Sequence, residues 1–81
     1  MIPSEYRRDK MDIIISHHAF IRAIERKIYP DMIEATLKNG RIEKFGKCFV
    51  RFVMDYKYGT VVCIGERITD NKVLIKTIEW R

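Results

Sequence analysis

No apolar run in this chain approaches the roughly 20 residues that a helix needs to cross a bilayer. The opening Met-Ile-Pro-Ser-Glu-Tyr-Arg-Arg-Asp-Lys also lacks the apolar stretch of a secretory signal. These two absences argue against membrane insertion and export, and a cytoplasmic location is expected. Cysteine is scarce, with only Cys48 and Cys63. There is no Cys-x-x-Cys, and His17 and His18 would diverge by about 100° on a helix, so no zinc pattern forms. Acidic residues are scattered from Glu5 to Glu79, and those from Asp12 onward never cluster as a metal-dependent nuclease requires. No metal site and no cofactor is expected. Repeats, linkers and low-complexity segments are also missing, and 81 residues suffice for one modest core.

What the chain has is positive charge, with a formal net charge of +5. That favours an anionic partner: nucleic acid, an acidic protein or an anionic surface. The apolar share of 47% is ordinary for a globular protein and argues against disorder.

The segment from Ser16 to Ile28 carries the strongest pattern. Ser16 is a natural N-cap for a helix over about His17 to Lys27. At helical spacing His18, Arg22 and Arg26 share one stripe, while Phe20, Ile21, Ile24 and Ile28 cluster on the other side as the expected buried face. Tyr29-Pro30 breaks this helix, and Pro30 with Asp31 opens a second one. There Met32, Ile33, Thr36 and Leu37 share a face, Glu34 and Lys38 pair on the solvent side, and Asn39-Gly40 ends the helix with a left-handed glycine.

From Arg41 the period changes to that of strands: Arg41 to Phe45, Lys47 to Met54, Thr60 to Arg67 and Lys72 to Trp80. Short loops predict an antiparallel meander, and Val50, Phe52, Val62 and Ile64 should be buried. Pairing Met54 with Thr60 would set Cys63 opposite Arg51 and on the other face from Cys48, which makes a disulfide implausible; both thiols are expected as reduced core residues. The expected architecture is α+β, with two N-terminal helices packed on a four-stranded antiparallel sheet. The β-branched run Ile13-Ile14-Ile15 is either a short extra strand or a lead-in to the helix. Residues 1–11 read as a flexible polar arm and residues 12–81 as a single domain.

Ser16-x-His18-Ala19-x-x-Arg22-x-x-x-Arg26-x-Ile28, followed by a second helix and strands ending in Ile75-x-Thr77-Ile78, resembles the domain-of-unknown-function 4258 family. That family is similar in topology to the RelE and ParE toxins. The resemblance spans nearly all of residues 12–81. It implies a RelE-like fold, a polar signature at His18, Arg22, Arg26 and Thr77, and an RNA substrate. A toxin of this grouping would also have a protein antitoxin as partner. The chain departs from the pattern at Lys27, often glycine in the family, and at Tyr29-Pro30, usually serine or threonine.

Metal-independent RNA cleavage needs a base for the 2′-hydroxyl, cations for the developing phosphate charge and an acid for the leaving oxygen. Histidine changes charge around neutral pH, and arginine binds phosphate in a two-pronged way. His18, Arg22, Arg26 and Thr77 are therefore the candidate catalytic set, and Lys47, Arg51 and Arg81 the candidate RNA-binding cations. The ordinary alternatives stand beside them. His18 could bond a carbonyl at a helix start, the arginines could line a solvated face, and Thr77 could be a plain strand residue. The basic-aromatic tip Tyr56-Lys57-Tyr58 reads as an RNA contact or as simple turn residues, and Trp80 reads as packing. The expected function is a toxin-type, metal-independent endoribonuclease. The alternative is a non-catalytic RNA- or protein-binding module of the same fold.

Overall fold

The computed structural model describes residues 5–81. In chain order the elements are β1 (Glu5–Arg8), β2 (Met11–Ile15), α1 (His17–Glu25), α2 (Pro30–Asn39), β3 (Arg41–Phe45), β4 (Phe49–Tyr56), β5 (Gly59–Thr69) and β6 (Lys72–Trp80). The strands form one sheet of six in the order β1-β2-β6-β5-β4-β3. Every pairing is antiparallel except β2 with β6, which is parallel.

This mixed six-stranded sheet replaces the expected four-stranded antiparallel one. The added strands come from the presumed arm and the Ile13–Ile15 run. Residues 1–4 of that arm lie outside the described residues. Within Glu5–Arg8 only Tyr6 is buried, so a lone aromatic among charges marks the edge strand. Arg8 holds the strand in place, because its Nη1 donates to the carbonyls of Leu37 (3.2 Å) and Gly40 (2.7 Å) at the end of α2. For β2 the partner is β6, some 60 residues onward. Residue spacing within a segment carries no information about so distant a parallel neighbour.

Both helices cover one face of the sheet. α2 lies against β4, β5 and β1, and α1 against β6. On α2 the expected face is buried, with Ile33, Thr36 and Leu37 inside. On α1 the buried residues are Ala19 and Ala23, while Ile21 is 44% and Ile24 37% exposed. The expected face of α1 is thus corrected by rotation about its axis, while Ile28, just past the helix, is fully buried as expected. The fully buried Ile75 and Ile78 of β6 supply the bulk beneath it, and small helix residues over large strand residues let the layers interdigitate.

α1 ends in a Schellman motif: the Ile28 N–H donates to Ala23 O (2.8 Å) and the Lys27 N–H to Ile24 O (3.0 Å). Lys27 takes the left-handed position, with φ of 62°, where glycine carries no penalty. Gly40 is extended, not left-handed. It is needed for closeness, since a Cβ there would sit 2.5 Å from Thr36 O and 2.8 Å from Val53 O.

The β4–β5 hairpin turns on Lys57 and Tyr58 alone, with Tyr56 opposite Gly59. The register is therefore one residue from that expected. Asp55 faces Thr60, and Cys63 faces Phe52, both buried. The Thr60 hydroxyl donates to Asp55 at 2.8 Å and, with Arg41, holds that carboxyl below the usual carboxylate range. Cys48 lies in the β3–β4 turn and is exposed, so only Cys63 is a core thiol, and both are free. Ile64 is half-buried, whereas Val50, Phe52 and Val62 are buried as expected.

Candidate functional site

The site begins at Ser16. Its hydroxyl accepts the Ala19 N–H (3.1 Å), capping α1, and its own N–H donates to Ile75 O (3.1 Å) on β6. The cap thus fixes both where the helix starts and which strand it starts beside. Because α1 rests on alanines, its backbone lies close to β6, and the long side chains of its polar stripe reach across the strand's flank.

β6 is bulged at that point. Ile64 pairs with Thr77 and Gly65 with Ile75, so the backbone register skips Lys76. Bulges redirect side chains in this way. Lys76 then joins His18, Arg22, Arg26 and Thr77 around a cavity of about 140 Å³. His18, Arg22, Arg26 and Lys76 are exposed and Thr77 is half-buried. The four candidate catalytic residues are therefore brought together, and a fifth polar residue is added.

Of the three Arg and Lys cations of this cavity, Arg22 and Lys76 each have a carboxylate partner just outside its lining, and Arg26 has none among the described residues. Arg26 Nη1 donates to the Ile78 carbonyl at 2.9 Å, a contact that orients the guanidinium without cancelling its charge. Arg22 faces Glu25 at 3.8 Å, both more than half exposed, a pairing of little strength. Lys76 pairs with Glu66. Among the described residues no carboxylate lines the cavity and no acid sits in the first turn of α1, so its N-terminal N–H dipoles add to the positive field. The volume lies far below the roughly 300–1,000 Å³ of a typical ligand pocket and suits a single anionic group. Among the described residues, no three His, Cys, Asp or Glu side chains gather as ligands for a metal ion.

The other three cations lie elsewhere. Lys47 is exposed in the β3–β4 turn. Arg51 and Arg81 both face Glu43, at 3.3 and 3.7 Å. The Arg51 Nε is within ion-pair range of Glu43 but not aligned for a hydrogen bond, and its guanidinium lies 4.6 Å from the Phe45 ring. A second cavity of about 220 Å³ is lined by Arg51, Arg81 and Glu79, among others. This cluster ties β3, β4 and the chain end together and carries its own acids.

A third and larger cavity of about 730 Å³ opens where α1 meets α2. Tyr29, Tyr56, Tyr58 and Trp80 form its walls, and Arg26 lines it as well. The Trp80 indole N–H donates to Arg26 O at 2.7 Å, joining the end of β6 to the end of α1. Sequence reasoning missed Lys76, because a bulge leaves no mark in an alternating pattern. Trp80 reads from the sequence as packing before recognition, and the indole both packs and lines a cavity. Among the described residues no helix is long and apolar enough to cross a membrane. No family model, no curated protein and no solved structure matches the chain.

Proposed function

We propose that the α1–β6 cavity is a phosphodiester site and that the protein is a metal-independent endoribonuclease. The observation that carries this reading is the convergence of His18, Arg22, Arg26, Lys76 and Thr77 on one small cavity with no carboxylate in its lining. The motif resemblance to the domain-of-unknown-function 4258 family supports it, and so does the net charge of +5. In the reaction His18 takes the 2′-hydroxyl proton, and the 2′-oxygen attacks the adjacent phosphorus. The P–O5′ bond breaks, and the leaving oxygen takes a proton from protonated His18 or Lys76. The products are a 2′,3′-cyclic phosphate and a 5′-hydroxyl. Arg22 and Arg26 stabilise the charge that develops on the phosphoryl oxygens, and the Thr77 hydroxyl positions one of them. Free thiols at Cys48 and Cys63 suit a reducing compartment such as the cytoplasm. In a toxin–antitoxin setting, a small protein partner would copurify and suppress cleavage.

A second reading is an RNA-binding module without chemistry. It is favoured by one observation: among the described residues no hydrogen bond orients the His18 ring, whereas a general base is commonly held by a third group. One assay separates the two. End-labelled single-stranded RNA is incubated with the protein in EDTA. Cleavage to cyclic-phosphate ends, lost about 100- to 10,000-fold in His18→Ala, is the expected result. RNA that is bound but uncut leaves the binding module.

A further inference from the structure

We propose that the aromatic cavity at the α1–α2 junction is a nucleobase subsite, taking the base of a nucleotide whose phosphate sits at the α1–β6 cavity. The inference rests on the phosphate reading of that neighbouring site. Arg26 lines both cavities, so one nucleotide spans them through a shared cation.

Two of the aromatic walls are fixed. The Tyr56 hydroxyl donates to Met32 O (2.9 Å) and lies 3.2 Å from Thr36 Oγ1, and the Trp80 indole is held by Arg26 O. The hairpin tip closes over the indole only because Gly59 is there. Its φ is +150°, and a Cβ would meet the Trp80 ring at 3.2 Å. The other two walls are free: Tyr58 is 86% and Tyr29 48% exposed. Fixed rings beneath and free rings at the mouth form a platform on which a planar base can stack, whatever its identity. Lys27 and Lys57 at the rim, with Asp31 the one acid in the lining, keep the entrance positive for the backbone that follows. The volume falls within the range of pockets that hold a small molecule.

Trp80 is the chain's single tryptophan, so its emission reports from this cavity. The full chain is titrated with a 2′-O-methylated oligouridylate, which cannot be cleaved, and with an abasic oligomer of the same charge. The expected result is saturable quenching by the first, with affinity about tenfold above the abasic oligomer, and a loss of about tenfold in both Tyr58→Ala and Tyr29→Ala. Equal affinity for the two oligomers, or no effect of either tyrosine variant, overturns the proposal. Quenching by an acidic amphipathic peptide with none by the oligouridylate overturns it in favour of a protein partner. The cleavage assay remains separate. RNA cleavage without base-dependent binding defeats this subsite alone, and base-dependent quenching without cleavage defeats only the catalytic reading.

Discussion

The two helices lie on one face of the same sheet and are seated in opposite ways. α2 buries Ile33 and Leu37, carries Asp31 at its start, and has its last carbonyls met by Arg8. Its charges match its dipole and its large side chains point inward, as a structural element requires. α1 buries only Ala19 and Ala23, has no acid in its first turn, and leaves Ile21, Ile24 and a line of cations outside. A helix seated on alanines gives up hydrophobic burial and gains proximity to its strand. That proximity is what sets His18, Arg22 and Arg26 beside the bulged Lys76 and Thr77. One helix holds the fold, and the other presents the site.

The largest expected effect sharpens this division. Arg22→Ala should lower RNA cleavage by about 100-fold or more, the scale of losing one preorganised donor to a developing charge, while the melting temperature stays within a degree or so of wild type. On α2 the signature should reverse. Leu37→Ala should cost about 2–5 kcal/mol in denaturant unfolding, because a fully buried leucine leaves a cavity. Ile24→Ala on α1 should cost less than about 1 kcal/mol, since that side chain is already more than a third exposed. Equal costs at Leu37 and Ile24 would break the comparison. Lys27→Gly should raise stability by about 1 kcal/mol by relieving the left-handed residue that closes α1.

The smallest effect concerns the thiols. Burial pushes the Cys63 thiol up to about 12, so in the folded chain it stays protonated and unreactive at pH 9, whereas exposed Cys48 labels at once. Burial of this thiol also makes stability fall as pH rises. The folded value is raised above the roughly 8.5 of an unfolded thiol, so the contribution is full below that pH and is lost as pH climbs toward the folded value. Native labelling should consume one thiol per chain, and labelling in denaturant two.

Much of this division was legible in the residues. The Ser16 cap, the stripe at His18, Arg22 and Arg26, the start of α2 at Pro30 and the buried face of α2 all follow from local spacing, whereas α1 ends at Glu25, before the expected break at Tyr29-Pro30. The seating of α1 did not, because an alanine face carries little hydropathy and two flanking isoleucines outweigh it. The parallel β2–β6 pairing and the edge strand around Tyr6 also escaped, since both depend on a partner far along the chain. The β4–β5 register slipped by one because a two-residue turn at Lys57-Tyr58 resembles the middle of a longer loop. For the cations the sequence shows which acid meets a base within one helix, as at Glu34 and Lys38, and not which acid meets it across the sheet. Arg51 and Arg81 became partners of Glu43, and Lys76 entered the site through a bulge.

In the proposed site the cations along α1 bind phosphate, and those around Glu43 hold the sheet. The salt dependence of affinity for an uncleavable single-stranded RNA tests it most directly, because each phosphate contact contributes about 0.7 to the slope of log affinity against log salt. Arg22→Ala should weaken binding and reduce that slope by about 0.7, while Arg51→Met leaves the slope unchanged. A slope that falls in Arg51→Met and not in Arg22→Ala would place the phosphate contact among the partners of Glu43 and not on α1.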